Sequence, residues 1–255
     1  MRVVSLASGS GGNAYCVESA GAILLIDCGI CCRELVRRMS AASLDPERIV
    51  AAVFTHDHTD HVKGLPVFHR HFPTVELFAN LMTAEAIAAA VQMDPLDFLT
   101  FENEQPFEVG PFGVRAFSIP HDVSDPVGYV VTADGETYFH ATDVGTPLDS
   151  VGVNLALADY ATLESNHDSV MLHQSARPES LKQRIRGPRG HLSNDDAAGL
   201  VRRFAAPKLR RLNLAHLSHE CNAPHLAERV MRETLAAMGR TDVELAILDQ
   251  DRVVV

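Results

Sequence analysis

The residues best suited to chemistry in this 255-residue chain are concentrated at positions 55–61, which read T-H-D-H-T-D-H. His56 and His58 can converge on one metal ion if the loop turns tightly, and Asp60 and His61, on the next turn, can face a second ion. Imidazole and carboxylate groups suit zinc, iron or manganese, and no thiolate is needed. Three histidines and two aspartates within six residues favour a metal site over a loop that is merely polar.

Other residues of ligand type stand just past apolar, strand-like runs. His121 follows residues 117–120, Asp143 follows 138–142, and His216 follows 212–215. One such residue could be a helix cap or a buried histidine with its hydrogen bonds made. Three of them at successive strand ends favour a shared site with the 55–61 loop.

The elements that must position these residues can be read from apolar patterning. The 55–61 loop follows an apolar run at 49–54, a buried strand, and precedes Pro66, which can open a helix. Loops that leave the carboxyl ends of strands are where open α/β sheets place their sites. Asp27 ends another strand, where its carboxylate either caps a helix at 31–40 or contacts a metal-binding histidine.

The rest of the chain alternates between strand and helix patterns. Strands are predicted at 3–7, 14–18, 22–27, 75–79, 112–119, 127–133, 136–141, 153–158, 209–215 and 244–248. Helices are predicted at 31–40, 65–72, 82–92, 178–186, 194–205 and 224–238. This order predicts an α+β fold of one domain over 1–255, with two mixed sheets packed face to face and helices outside. The glycine-rich loop at 8–13 links two strands and is therefore no P-loop.

Composition excludes several classes of protein. The apolar fraction of 46% is ordinary for a globular core. No apolar run is long enough to span a bilayer, and the apolar region at the start of the chain is too short for a signal peptide, so we expect a cytoplasmic protein. The five cysteines are an odd number, and Cys28-x-x-Cys31 has no second pair to complete a zinc cage. Reduced structural thiols are the favoured interpretation.

The charge is unevenly distributed. The net charge of −11 argues against a surface that is coated by nucleic acid throughout. Residues 177–211, however, carry ten basic against three acidic residues, a net +7. Two interpretations stay open: a solvated helix face, or a local binding surface for a polyanion.

These motifs together resemble one known group. The H-D-H-T-D-H run followed by His121, Asp143 and His216 resembles the metallo-β-lactamase superfamily, with its αββα sandwich. The resemblance implies that His56, His58 and His121 hold one metal, that Asp60, His61 and His216 hold another, and that Asp143 bridges both. An aspartate at 143, in place of the cysteine of true β-lactamases, resembles the hydrolases of phosphoesters and thioesters.

Four further stretches, 8–13, 164–168, 190–194 and 216–218, resemble the YycJ/WalJ-like branch, which is associated with exonuclease or phosphodiesterase activity. Only 73 residues separate Asp143 from His216, no long Gly/Pro-rich arm is present, and 39 residues follow His216. We therefore do not expect a β-CASP cap domain, the exosite arm of ribonuclease Z or the helical domain of glyoxalase II. The residues expected to bind substrate within these motifs are Ser10, Asn13, Ser193 and Asn194.

The expected activity is phosphodiester hydrolysis with two divalent ions, zinc or manganese with iron as an alternative, through a metal-bridging hydroxide. The resemblance implies that Asp60 orients this hydroxide. His191 is the candidate proton donor to the leaving group, because a helix N-terminus and the basic segment surround it, and Glu164 can pair with it. The alternative is that His191 is a surface residue beside a helix cap.

The substrate is expected to be a DNA or RNA end, cleaved by a 5′→3′ exonuclease, or a small nucleotide. One alternative is a thioesterase or lactonase with the same site, and another is a non-catalytic metal-binding partner protein. No ligand of the set is missing, which disfavours the non-catalytic alternative. The sequence leaves the native metal, the polarity of cleavage and the oligomeric state open.

Overall fold

The computed structural model describes residues 1–255, apart from the side chain at position 96. The amino-terminal half forms a six-stranded sheet in the order β1-β2-β3-β4-β5-β6. Its strands are β1 (Arg2–Ala7), β2 (Ala14–Ser19), β3 (Ala22–Ile26), β4 (Ile49–Val53), β5 (Glu76–Asn80) and β6 (Phe98–Phe101). The strands β1 to β3 are antiparallel and β3 to β6 are parallel, so that the sheet is mixed.

The carboxyl-terminal half forms a seven-stranded sheet in the order β13-β12-β11-β10-β9-β8-β7. Its strands are β7 (Pro106–Val109), β8 (Phe112–Ser118), β9 (Val127–Ala133), β10 (Glu136–Ala141), β11 (Tyr160–Glu164), β12 (Arg211–Ala215) and β13 (Glu244–Ile247). The strands β7 to β10 are antiparallel and β10 to β13 are parallel, so that β10 belongs to both parts. The two mixed sheets confirm the predicted fold class.

Most of the α-helices cover the outer faces of the two sheets. The α-helices are α1 (Cys32–Ala41), α2 (Thr59–Val62), α3 (Leu65–His71), α4 (Leu81–Val91), α5 (Asp149–Leu155), α6 (Ser169–Gln174), α7 (Glu179–Arg186), α8 (Asn194–Phe204) and α9 (Pro224–Ala237). Among the described residues, no helix combines the length and the apolar character that crossing a membrane requires.

Three apolar layers hold this arrangement together. The central layer joins the facing sides of the two sheets, for example Tyr15 and Leu24 of the first with Val114 and Val131 of the second. The outer layers lie under α1, α3 and α4 on one side and under α5, α8 and α9 on the other. Removal of this apolar surface from water is the dominant favourable contribution to folding. The layers confirm the predicted αββα sandwich.

One predicted strand is wrong. Residues 153–158 do not form a strand: α5 ends at Leu155, and β11 begins at Tyr160. A short apolar run does not by itself distinguish a buried strand from a buried helix. Val151 and Leu155, four residues apart, are buried, whereas Val153 is 55% exposed. This is the periodicity of a helix. The prediction also omitted β6, β7, β11, α2 and α6.

The cysteines are free thiols, with Cys31 exposed and the other four buried. Burial raises the pKa of the Cys16 and Cys28 thiols, which keeps them protonated and unreactive.

Candidate metal centre and adjoining cavities

The 55–61 loop is held where β4 ends. His58 precedes α2, whose first turn carries Asp60 and His61 back toward the strand end. The loop backbone is fixed from outside: Asn13 N–H donates to the Asp60 carbonyl at 2.7 Å. Gly29 packs against the same carbonyl so closely that a Cβ would lie 1.7 Å from the Asp60 oxygen. Only glycine fits there.

Three residues from distant strands reach the loop through the same local conformation. Asp27, Asp143 and His216 follow β3, β10 and β12, and their φ angles are 61°, 60° and 54°. This left-handed region is uncommon outside glycine, although Asp and His tolerate it better than most residues. Such strain is found where the surrounding structure demands it, often at functional sites. Here it turns each side chain at the end of its strand toward one cluster.

The cluster contains groups of residues whose ligand atoms lie within 4.8 Å of one another. One group is His56, His58 and His121, a second is Asp60, His61 and His216, and a third is His56, His61 and Asp143. Individual separations are 3.3 Å from His121 Nε2 to His58 Nδ1 and 3.5 Å from His216 Nε2 to Asp60 Oδ2. Donors placed tetrahedrally about 2.0–2.1 Å from one ion are about 3.4 Å apart, so these residues fit a metal ion.

Hydrogen bonds from outside the cluster orient the imidazoles. His61 Nδ1–H donates to the buried Asp27 carboxylate at 2.7 Å, and His121 Nδ1–H donates to the Gly190 carbonyl at 3.1 Å. The Thr55 hydroxyl donates to Asp27 at 2.8 Å, so its oxygen can accept from His56 Nδ1–H at 3.0 Å. In each case Nε2 is left for the cluster. Asp27 thus contacts a candidate ligand, whereas α1 has no side-chain cap.

Two buried imidazole nitrogens of the cluster, His56 Nε2 and His216 Nε2, have no hydrogen-bond partner among the described residues. A buried polar atom without a partner is costly unless a ligand satisfies it. A cation shared with the neighbouring carboxylates satisfies both nitrogens. The arrangement therefore fits a divalent metal on its own chemistry.

The electrostatics of the cluster also favour a cation. Burial lowers the pKa of His56 well below its usual value, which keeps this imidazole in the neutral form that binds metals. Burial would lower the pKa of His61 too, but the Asp27 and Asp143 carboxylates outweigh it and raise the pKa to about 10. Metal binding must displace that proton, so affinity increases with pH.

Glu164 connects the cluster to His191. This fully buried carboxylate accepts from His191 Nδ1–H at 2.9 Å and from His216 Nδ1–H at 3.0 Å through Oε1. Its Oε2 accepts the backbone N–H groups of Val144 and Leu192. Burial works to raise the pKa of Glu164, but His191 and the hydrogen bonds lower it to about 2. The His191 side chain is 22% exposed, and its Nε2 remains available.

A cavity of ≈ 220 Å³ opens over the cluster and is here called the site cavity. Asp60, Asp143, His191 and His216 are among the residues that line it. Ser10 also lines a second cavity of ≈ 630 Å³, which extends past Leu217 and Ser218. Ser10 therefore lies between the two cavities.

The four residues expected to bind substrate lie in different environments. Ser10 lines both cavities. Asn13 is fully buried, and its side-chain amide lies 3.0 Å from His61 Nε2 and 3.3 Å from Asp60 Oδ2. Ser193 caps α8 in a capping box with Asp196, and Asn194 bonds Ser165 and Asn222. Ser193 and Asn194 lie outside both sets of cavity-lining residues and make structural bonds.

The arginines of the basic segment lie in two different environments. Arg177 and Arg184 line the site cavity. Arg203 and Arg210 instead form exposed ion pairs with Asp149 and Glu136.

Sequence reasoning missed three residues that organise the site. Thr55 donates a hydrogen bond to Asp27 and lies close to two histidines. Its position directly before the histidine-rich motif could have identified it in the sequence. Asp122, directly after His121, pairs with Arg184 at 2.6 Å. Gln250 holds the glycine-rich loop through the Gly11 N–H and the Gly12 carbonyl, and no sequence signal marked it.

Comparisons with known proteins identify related sequences. A family model described as a beta-lactamase superfamily domain matches residues 23–217. The exodeoxyribonuclease WalJ of Streptococcus pneumoniae is 31% identical over 91% of this chain and 87% of its own length. The exodeoxyribonuclease YycJ of Bacillus anthracis is 30% identical over 92% of this chain and 89% of its own length.

Two solved structures share the fold. The metallo-β-lactamase fold protein YhfI from Bacillus subtilis has a TM-score of 0.72 at 17% identity, covering 99% of this chain and 98% of its own. The short form of human tRNase Z has a TM-score of 0.66 at 19% identity, covering 100% and 99%. At these identities the likeness shows the fold alone.

Proposed function

The chain belongs to the metallo-β-lactamase superfamily, in its YycJ/WalJ-like branch, and we propose that it is a metal-dependent nuclease that hydrolyses phosphodiester bonds of nucleic acid. The observation that carries this proposal is the Glu164–His191 pair, joined to the ligand cluster and open to the site cavity. The relatives named exodeoxyribonucleases support a DNA end as the substrate.

We assign the cluster to two divalent ions, zinc or manganese, with iron also compatible with these donors. His56, His58 and His121 would hold the first ion, and Asp60, His61 and His216 the second. Asp143 would bridge them, because its carboxylate lies 3.2 Å from His61 Nε2 and 3.8 Å from His121 Nε2. Bound there, divalent ions lower the pKa of water and neutralise charge on phosphoryl oxygens.

Residues of the chain would orient the water and contact the substrate. Asp60 is partly exposed and lines the site cavity, and we propose that its carboxylate orients the attacking water. Asn13 fixes Asp60 through its side-chain amide and its backbone N–H, so we assign it a positioning role rather than substrate binding. Ser10 is the residue of the glycine-rich loop that we expect to contact substrate.

The leaving alkoxide needs a proton, and we propose that His191 supplies it. The Glu164 carboxylate accepts the Nδ1 proton, so the proton that is transferred must reside on Nε2, on the side of the cavity. The charge of Glu164 stabilises the imidazolium form, and it outweighs burial to raise the pKa of His191. The same carboxylate orients His216, so one buried group positions both a proposed ligand and the proposed acid.

Acyl hydrolysis at the same centre is the alternative activity. Arginines beside the site cavity and the nuclease relatives favour phosphate over acyl carbon. A non-catalytic role is disfavoured because each expected ligand is brought into the cluster.

The test is a substrate panel with purified protein and Zn²⁺ or Mn²⁺. Bis(p-nitrophenyl) phosphate, single-stranded DNA, single-stranded RNA and an acyl thioester are compared by kcat/KM. We expect turnover of the phosphodiesters, with DNA preferred. Turnover of the thioester without cleavage of any phosphodiester would replace this proposal with the alternative.

A further inference from the structure

One wall of the site cavity is formed by α7 and the segment before it. Arg177, Leu181, Arg184 and Ile185 line this wall. Leu181, Arg184 and Ile185 are spaced three and four residues apart, which places them on one face of α7. The wall therefore presents two cations with apolar surface beside them, directly next to the metal ligands.

Both arginines are anchored through Nε, which leaves the two Nη groups of each free. Arg184 Nε donates to Asp122 at 2.6 Å, and Arg177 Nε donates to Glu220 at 3.0 Å. Within the described part of the chain, neither guanidinium makes a hydrogen bond through its two Nη groups. The Nη pair presents N–H donors in a planar fork that matches a phosphate. Anchoring at Nε pre-orients the fork and reduces the entropy cost of binding.

Neighbouring arginines of the basic segment behave differently. Arg186, Arg203 and Arg210 each use an Nη group to bond an acidic side chain. None of these three is among the residues that line the site cavity. Arg177 and Arg184 are thus distinguished by an anchor at Nε together with a place in the wall of the site cavity.

The position of Arg184 relative to the cluster indicates which phosphate it can reach. Asp122 Oδ2 bonds Arg184, and Asp122 Oδ1 lies 3.4 Å from His121 Nε2. The guanidinium is therefore separated from the ligand cluster by the length of one carboxylate. Because the Asp122 carboxylate contacts both the guanidinium and His121, we expect the arginines to bind a different phosphate from the one that reacts at the cluster.

We propose that Arg177 and Arg184 form a phosphate subsite, which binds a phosphate of the substrate next to the one being hydrolysed. This inference rests on the proposed nuclease function and extends it to the substrate class. The preferred substrate is a strand with at least two phosphates, because a diester with one phosphate cannot occupy both places. The second phosphate is either an internal diester or a terminal monoester.

The experiment compares Arg184→Ala and Arg184→Lys with wild-type protein loaded with Mn²⁺. The substrates are bis(p-nitrophenyl) phosphate and a single-stranded oligonucleotide with either a 5′-hydroxyl or a 5′-phosphate. Arg203→Ala is the matched control, since it removes an exposed, ion-paired arginine of the same segment away from the cavity. Metal content and thermal stability are measured for each variant.

We expect Arg184→Ala to lower kcat/KM for the oligonucleotide about 10- to 100-fold more than for bis(p-nitrophenyl) phosphate. Arg184→Lys should restore only part of this activity, because lysine keeps the charge without the fork. The slope of log kcat/KM against log salt, from about 50 to 300 mM KCl, should become shallower by about 0.7 for each phosphate that the variant no longer neutralises. Arg203→Ala should keep the wild-type slope.

The outcomes separate the two proposals. A reduction confined to the 5′-phosphorylated strand assigns the subsite to a terminal phosphate, and an equal reduction on both strands assigns it to an internal diester. Equal reductions on the oligonucleotide and the one-phosphate substrate, or a slope unchanged from that of Arg203→Ala, overturn the subsite and leave the nuclease function standing. Failure of wild-type protein to cleave any phosphodiester overturns the function itself.

Discussion

His191 Nδ1 lies 2.9 Å from Glu164 Oε1, and this bond to a fully buried carboxylate fixes which ring nitrogen can serve the cavity. Glu164 is itself held by two backbone N–H groups, so the pair cannot rotate freely. Because the same oxygen also accepts from His216, the proposed acid and a proposed metal ligand share one anchor. Their relative positions are therefore set by a single side chain.

The first prediction concerns His191. We expect His191→Ala to cut phosphodiester turnover by about 10²–10⁴, since this is the usual contribution of a general acid. Metal content by elemental analysis should stay intact. The matched control is His225→Ala, an exposed histidine of α9, which should retain wild-type turnover. Unchanged turnover in His191→Ala would remove this residue from the mechanism.

The second prediction concerns Asp143, which we propose to bridge two ions. Asp143→Ala should lose one or both metals, because its carboxylate approaches both groups of ligands. Asp149→Ala, which removes an exposed carboxylate, is the control. Retention of both metals in Asp143→Ala would refute the bridging role.

The third prediction concerns Asp27, which holds His61 at 2.7 Å and Thr55 at 2.8 and 2.9 Å. Asp27→Asn keeps the shape but removes the charge that fixes the His61 imidazole. We expect metal affinity, measured by competition with a chelator, to fall about 10- to 100-fold. Wild-type affinity in this variant would show that the ligand geometry does not depend on the carboxylate.

The fourth prediction concerns close packing at Gly29. A Cβ there would overlap the Asp60 backbone oxygen, so Gly29→Ala should destabilise the protein by about 3 kcal/mol or more and weaken metal binding. Gly199 in α8 has open space around the position of its missing Cβ. Gly199→Ala should therefore stabilise the protein by about 0.5–1 kcal/mol. Similar urea midpoints for the two variants would contradict this interpretation.

The fifth prediction concerns pH. Hydrogen bonds from Arg37 and Arg38 lower the pKa of Glu34 from 4.5 to about 2. A carboxyl group whose pKa is lower in the folded state stabilises the fold when ionised. Its contribution is complete above about pH 4.5 and is lost as the pH falls toward about 2. The stability difference between wild type and Glu34→Gln, measured by urea unfolding, should shrink between about pH 6 and about pH 3. A constant difference would exclude this linkage.

Much of the fold follows from local information. Apolar runs with period two and period 3.6 mark most of the strands and helices. A half-buried strand exposes every second residue to water, and a half-buried helix exposes one face, to which residues return every 3.6 positions. Residues 153–158 depart from their predicted strand because a six-residue apolar run satisfies either element, and only packing against α8, where Gly152 meets Phe204, decides between them. The omitted strands β6 and β7 lie at edges of their sheets, where apolar patterning is weakest.

The sequence by itself determined which side chains can hold a metal, since ligand chemistry resides in residue type and strand ends are marked by local pattern. Tertiary structure alone decided which nitrogen of each histidine faces the cluster, because partners such as Asp27 and Gly190 come from distant parts of the chain. It also decided which arginines of one basic stretch reach the cavity. The orientation of the imidazoles and the pairing of the arginines are set by contacts between residues far apart in sequence. Local sequence patterns do not reveal such contacts.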